Sequence, residues 1–537
     1  LELRHVLHSD LEEELMVSLT SLAGRTSDDA VRPAAWAWTQ NASLWLAALF
    51  LLDVAVRFHG LGAQSLWADE IAAVEIAKQP LRVLWSTWMV RETNPPLYYS
   101  ALHLWMEMFG RSDIAVRGLS AVIGTMVAPL MYVLGRAIAS KRVGLIAALL
   151  AALWSHQLFY SQEARGYILG TVGALIAVIG LVNITDQVTA PTRSRTAGQR
   201  LWPWFAYAFG AVIAVYTHTT HVLLPLLASL YFVWLWAFRG DRRPSSLLAW
   251  TATNAAVVCI WAWWGWITWL QVHLEKPNFG WIGKPSLSQG VSIVLNLYGP
   301  AGVTLAKSLG RTVLLGMGGL FIAAAAWGAS RLRPERAGML AVFGIGAPLL
   351  LFAISQHVPI MLPRTLLWAQ FSVIIALAAA MDAIPSGIGR AVATSGVALV
   401  LVLGWSVQAP REPWRSLVEE LAILAGPGEV VLVSSVSDGV YIQHYCVEAR
   451  CRFKVENLIS PTDIQNRWAD DLFTGASIPA AALPSLLGQT RSVWTVSRWG
   501  DDPRPAMSAI AVATPFPPLH TILPDAIVLA KWRAAPL

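Results

Sequence analysis

Two acids stand side by side in Trp67-Ala68-Asp69-Glu70, just after the first hydrophobic run of the chain. Asn94-Pro95-Pro96-Leu97-Tyr98-Tyr99 follows, and a third acid, Glu163, lies in Tyr160-Ser161-Gln162-Glu163-Ala164-Arg165-Gly166-Tyr167. Carboxylates beside hydrocarbon are costly to desolvate, so their presence there asks for a function. Held near a low-dielectric boundary, Asp or Glu can be tuned as a general base that takes a proton from a hydroxyl. Arg165, and Arg364 in Leu362-Pro363-Arg364-Thr365, carry the planar donor fork that grips phosphate. Acids and guanidinium groups from separate loops at one lipid–water boundary suit an enzyme acting on a lipid-carried substrate.

Each residue has a plainer role beside the chemical one. Asp69 is also a favoured helix N-cap. Glu70 would then be a first-turn acid, a partner for Arg91, or a ligand for a substrate hydroxyl. Glu163 and Arg165 form either a substrate-binding pair or a weak local ion pair at the surface. His218 and His221, spaced i and i+3, could hold a divalent metal together with a carboxylate such as Glu163. Ordinary interfacial hydrogen bonding is their alternative. Arg364 either binds a departing phosphate or snorkels to the headgroups. Gly316-Met317-Gly318-Gly319 sits inside an apolar run and reads as a helix-packing face. Asp470-Asp471 and Asp501-Asp502 read as surface acids.

The elements that must position these groups are mostly membrane spans. Of 537 residues, 55% are hydrophobic and only 13% charged, about half the charge of an ordinary globular chain. Apolar runs near bilayer length fall at 43–59, 117–137, 143–160, 166–184, 203–218, 221–238, 247–270, 310–330, 338–356, 364–383 and 390–408. Many of the 27 Trp residues flank these runs, among them Trp202, Trp234, Trp264, Trp266 and Trp269, where amphipathic rings favour the interface. The net charge of +6 comes from short basic connections and does not signal nucleic-acid binding. Lys141, Arg142, Arg193, Arg239, Arg331 and Arg390 fall on alternate connections, which the positive-inside rule makes cytoplasmic. Asp69, Glu163, His218 and Arg364 then share the outer face.

That topology treats Pro96 to Phe109 as a helix lying in the interface, within a first outer loop spanning 60–116, rather than as a crossing. Residues 1–42 carry mixed charge without the order of a secretion signal and are expected to form a cytoplasmic tail. After residue 409 the composition changes. Val430-Val431-Leu432-Val433 reads as a buried strand, and 409–537 as a small α/β domain outside the membrane. Three cysteines exclude a disulfide-rich scaffold. Cys259 reads as span core. Cys446 and Cys451, in the outer domain, are expected to form a disulfide, with two adjacent free thiols as the alternative.

The order Trp-x-Asp-Glu, Asn-Pro-Pro-Leu-Tyr-Tyr, Arg117-Gly118-Leu119-Ser120-Ala121, then Tyr-Ser-Gln-Glu-Ala-Arg-x-Tyr resembles membrane glycosyltransferases of the GT-C superfamily. The bacterial group related to protein O-mannosyltransferases and aminoarabinose transferases is the nearest in pattern. The resemblance covers about 43–408 and is sharpest over 65–170. Gly166 stands where that group often has Pro, Thr219 and Thr365 where it often has Tyr.

The resemblance implies an inverting transferase that moves a sugar from a polyprenyl-phosphate carrier to an acceptor hydroxyl outside the cytoplasm. It makes Asp69 the base, and Glu70, Tyr98, Tyr99, Glu163, Arg165, His218 and Arg364 substrate-binding. The acceptor is a lipid, a glycan or a protein. No metal is required, although a divalent ion is compatible. Two rival readings are a transporter or lipid flippase and a non-catalytic assembly subunit. The acids in outer loops rather than at a midplane between repeats weigh against transport.

Overall fold

A computed structural model describes residues 42–189, 196–240, 242–274, 282–300, 310–405, 411–458, 467–482, 485–486, 489–490, 493–498 and 527–532. The expected tail over residues 1–41 and the Asp501-Asp502 pair lie outside the described residues. The chain is a polytopic helical membrane protein with a small α/β unit after the last span. Among the described residues eight helices are long and apolar enough to cross a bilayer. A ninth crossing is made if Lys141–Leu153 and Ser155–Ser161, bent by 58°, count as one broken span. Helix Ala42–Phe58, with 17 residues, and helix Ala197–Val215, with 19, occupy the two remaining places where spans were expected.

Burial separates the centre of the bundle from its rim. Pro363–Asp382 and Tyr167–Thr189 have 94% and 78% of their apolar windows buried, whereas Gly387–Gly404 has 11%. Helices apolar all round belong in the middle or against lipid, never against water. Within the bundle, small residues let backbones touch. A Cβ on Gly180 would lie 2.4 Å from the amide nitrogen of Tyr207, and one on Gly210 would lie 2.4 Å from that of Ala177. In the 316–319 stretch only Gly318 makes such an approach, to the Leu295 carbonyl. Cys259, expected in the core, is exposed on its helix and faces outward from the bundle. Trp264 departs from its expected interfacial place in the other direction. It is fully buried and donates to Thr219 Oγ1 at 3.2 Å.

The 60–116 segment is ordered by short helices. Pro95 precedes a helix Pro96–Phe109, where the missing N–H of Pro96 removes nothing from the ladder. Its 14 residues rise about 21 Å, less than the ~30 Å of hydrocarbon. After the last span, helix Trp414–Leu424 leads into a five-stranded sheet. Strands β1 (Val430–Val433), β2 (Lys454–Leu458), β3 (Ser477–Ile478), β4 (Val493–Arg498) and β5 (Ile527–Trp532) take the order β3-β2-β1-β4-β5. β1 is parallel to β2 and β4, with Val431 opposite Val455 and Trp494, and only β5 is antiparallel. All four residues of β1 are buried, as its unbroken apolar run requires. Cys446 and Cys451 form a disulfide with a Cα–Cα distance of 5.0 Å, at the end of helix Val436–Ala449.

Side chains seat this unit on the 60–116 segment. Tyr445 Oη accepts from the Leu66 amide at 2.8 Å and donates to Asp113 Oδ2 at 3.1 Å. His444 Nδ1 lies 2.6 Å from Glu75 Oε1, and Arg415 pairs with Asp113. Asp471 joins Arg91 at 2.6 Å and Trp88 Nε1 at 2.7 Å.

The close helix contacts give a direct test. Gly210→Val should cost about 1–3 kcal/mol through overpacking, whereas Gly316→Ala, with nothing within 4 Å of an added Cβ, should be nearly neutral. Thermal unfolding of the detergent-solubilised variants measures both, and equal effects would rule out the close approach of the two helices.

Candidate active site

Helix Ala68–Ala77 carries the first pair of acids. Its N-cap is Trp67, so Asp69 sits inside the first turn and is not the cap. Glu70 reaches back to the Trp67 amide at 3.3 Å, and this leaves the Asp69 side chain directed away from the cap. The two neighbours then face different surroundings.

Glu70 has no exposed surface. Oε1 accepts from Arg117 Nε at 2.8 Å and from the Ala164 amide at 3.0 Å; Oε2 accepts from Arg117 Nη2 at 2.6 Å and Arg411 Nη1 at 2.7 Å. Burial alone would raise its pKa, but Arg411 and Arg117 outweigh this and hold it below the usual carboxylate range. The expected contact with Arg91 is replaced, since Arg91 pairs with Asp471. With both oxygens committed and no exposed surface, Glu70 is turned away from the cavity that Asp69 lines. Arg117 extends the knot to the carbonyls of Leu61 at 3.0 Å, Gln64 at 2.7 Å and Ser65 at 2.9 Å.

Asp69 opens onto a cavity of about 350 Å³. Its Oδ2 accepts from Arg364 Nη1 at 2.9 Å, and the Arg364 guanidinium lies 5.7 Å from the centre of the Tyr167 ring. Arg165 donates to Tyr99 Oη at 3.1 Å and to the Asp69 carbonyl at 3.4 Å. Tyr98 is tied to Ser120 at 2.7 Å, and Ser120 in turn to the Arg165 carbonyl at 3.3 Å. Asp69, Arg165, Tyr167, His218, Arg364 and Tyr441 share the lining of this one cavity. Tyr98 and Tyr99 brace Arg165 from behind rather than facing the space.

Glu163 is the anomaly. It is 1% exposed, does not line the cavity, and neither oxygen has a hydrogen-bond partner among the described residues. The expected local pair with Arg165 is absent, because Arg165 turns to Tyr99. Burial pushes the Glu163 carboxyl up to about 7; Arg411 and Arg364 pull it down while Glu70 and Asp69 push it further up.

His218 Nδ1 accepts from the Thr220 amide at 3.2 Å, and burial holds its imidazole well below its ordinary pKa. His221 is buried with Nδ1 3.2 Å from the His218 carbonyl. The metal set expected from His218, His221 and Glu163 does not assemble. No group of three His, Cys, Asp or Glu placed to hold an ion occurs among the described residues.

Several residues had no assigned role in the sequence. Arg117 and Tyr167 lay inside recognised motifs, and an arginine opening a span signals a buried carboxylate partner. Arg411, Glu92 and Tyr441 carried no such sign. Glu92 lines the cavity and accepts from the Asn94 amide at 3.1 Å.

Comparison with solved structures agrees with this architecture. The fold is similar to that of ArnT from Cupriavidus metallidurans, with a TM-score of 0.60 at 13% identity, covering 92% of this chain and 100% of ArnT. The ArnT structure bound to undecaprenyl phosphate gives a TM-score of 0.57 at 13% identity and the same coverage. The archaeal oligosaccharyltransferase AglB from Archaeoglobus fulgidus, in complex with an inhibitory peptide and a dolichol-phosphate, gives 0.51 at 12% identity, covering 88% of this chain and 71% of AglB. These neighbours are GT-C glycosyltransferases, and this chain has their fold. No protein-family model and no curated protein matches the sequence.

Glu163 supplies a pH test. Its carboxyl is raised on folding, so the folded state favours the protonated form; stability is full below the unfolded value near 4.5 and falls as pH rises through about 7. Glu163→Gln should therefore gain stability over the wild type at pH 8, by about 3 kcal/mol at most, and lose that advantage below pH ~4.5. Denaturation midpoints of both proteins across pH decide it, and a difference that does not change with pH would refute an uncharged, unpartnered carboxyl.

Proposed function

We propose that the protein is an inverting glycosyltransferase that moves a sugar from a polyprenyl-phosphate carrier to an acceptor hydroxyl at the outer membrane face. One observation carries the reading: a carboxylate and two guanidinium groups, from three separate loops, face one cavity at the ends of the spans. The neighbour structures holding undecaprenyl phosphate and dolichol-phosphate support the carrier class. The basic residues Arg239, Arg331 and Arg390 lie at the opposite helix ends, which supports an outward-facing cavity by the positive-inside rule.

In this reading Asp69 accepts the acceptor's hydroxyl proton as the oxygen attacks the anomeric carbon. The bond from that carbon to the carrier phosphate oxygen breaks on the opposite side, its electron pair leaving with the phosphate. Attack opposite the leaving group inverts the centre. Arg364 and Arg165 offset the charge that develops on the phosphate. Because Arg364 is engaged with Asp69 beforehand, donor phosphate and Asp69 compete for it. Its transfer to the phosphate frees the carboxylate to act as base, which couples donor arrival to activation. The acceptor is a lipid, glycan or protein hydroxyl near the membrane surface, and Tyr441 brings the C-terminal unit to the same cavity. No step is routed through a metal, since the donor set for one does not gather.

Asp69→Asn should lower transfer by at least about 100-fold, the usual contribution of a general base. Donor binding should hold or tighten, because the substitution releases Arg364. A purified, lipid-reconstituted assay with a binding arm tests both; near wild-type turnover would reject Asp69 as base. Normal folding with donor efflux and no transfer would instead mark a transporter.

Arg364→Lys keeps charge but loses the fork, and donor KM should rise about tenfold, the loss of one charge-assisted hydrogen bond. An unchanged donor KM would reduce Arg364 to a surface anchor.

A further inference from the structure

A second charged cavity, of about 660 Å³, lies at the far ends of the same helices. Helix Tyr167–Thr189 contributes Tyr167 to the catalytic cavity and Asp186 to this one. Those positions are separated by about 29 Å at the helical rise, the thickness of bilayer hydrocarbon. The run Pro363–Asp382 makes the same crossing, from Arg364 to Asp382. The second cavity therefore opens at the opposite membrane boundary, where headgroups lie.

Its charges are of both signs and unequally satisfied. Arg336 is spent on Asp186 at 2.5 Å and on Thr185 Oγ1 at 3.3 Å. Arg331 lies 5.0 Å over the Trp327 ring, which orients it but leaves its N–H edges open. Arg333, exposed at the N-cap of helix Pro334–Ala341, has no ion pair among the described residues. Across the cavity, the half-buried Asp382 lines the wall; its Oδ2 accepts from Ser140 Oγ at 3.2 Å, and no cation pairs with its carboxylate among the described residues. Among the described residues, two arginines of the cavity thus lack an anion and one carboxylate lacks a cation.

We propose that this cavity binds the headgroup of an aminophospholipid from the opposite leaflet, phosphate on Arg331 and Arg333 and primary ammonium on Asp382. An anionic lipid such as phosphatidylglycerol would satisfy the arginines but leave the Asp382 carboxylate without a cation. A choline headgroup brings a cation with no N–H to donate. Phosphatidylethanolamine meets both demands, and its acyl chains continue along the apolar helix surfaces around the rim.

The test uses the full-length protein in nanodiscs of phosphatidylethanolamine, phosphatidylglycerol or phosphatidylcholine at equal mole fraction, with retained lipid counted by native mass spectrometry. The wild type should retain phosphatidylethanolamine at least about tenfold over phosphatidylcholine, one charge-assisted hydrogen bond's worth. Asp382→Asn should erase that preference while keeping phosphate-dependent retention. Arg333→Gln, an exposed change that leaves folding alone, should weaken all three lipids. Preference for phosphatidylglycerol, or equal retention of all three, would overturn the proposal. So would displacement of the lipid by millimolar inorganic phosphate, which would mark a site for a free anion. If Asp382→Asn fails to fold, phosphatidylethanolamine-dependent thermal stabilisation of the wild type, lost in Arg333→Gln, carries the same decision.

Discussion

Glu70 is a single buried carboxylate on which four stretches of chain converge. Its two oxygens receive the loop before helix Ala68–Ala77 through Trp67, the next span through Arg117, the 162–166 loop through the Ala164 amide and the segment after the last span through Arg411. A buried carboxylate is tolerable only when its partners are in place, and removing one partner leaves an uncompensated charge. The same four attachments fix the backbone on either side of the candidate cavity. Asp69 is the next residue in one of those stretches, and Arg165 follows Ala164 in another. The site is therefore positioned by a neighbour that takes no part in the chemistry, and its loops behave as rigid elements because their anchor is buried.

Adjacent acids with opposite fates explain why sequence reading separated the two only in part. Asp69, Arg165, His218 and Arg364 can be grouped from the sequence because each lies at the end of a span opposite the basic connections, and the structure brings all four to one cavity. The alternation of loop charge sorts such ends onto one face. Glu70 was misjudged because its partners stand 47 and 341 positions away, and nothing local distinguishes a committed carboxylate from a solvated one. The sequence offers Glu163 either as a substrate-binding residue or as half of a local pair with Arg165, two residues on. The turn instead sends the two side chains apart, Arg165 to Tyr99 and Glu163 into a place with no donor. Spacing predicts which residues are close along the chain, but not which way a five-residue loop between helices points them.

The membrane segments were more readable than their edges. Apolar runs located the helices, yet one expected crossing is broken by 58° at Trp154 and another is a helix of only 17 residues. Hydropathy also does not tell the rim of a bundle from its centre. Cys259 and Trp264, five positions apart on one helix, exchanged their expected environments for this reason. In lipid both faces of a span are apolar, so the polarity contrast that marks the buried side of a soluble helix is missing.

The proposed chemistry places a further demand on the cavity that its charges meet. Before transfer Arg364 stands between an ionised Asp69 and a singly charged phosphodiester. After transfer Asp69 holds the acceptor's proton and the carrier leaves as a monoester, near −2 at neutral pH. One negative charge has moved from carboxylate to phosphate, while the total facing the two arginines is unchanged. A site built this way needs no large reorganisation during the reaction, which is the condition under which fixed charges stabilise a transition state most. His218, held neutral by burial, leaves that balance undisturbed. The depth of the imidazole in the cavity wall and the exchange of Arg364 between two anions are then parts of one electrostatic arrangement.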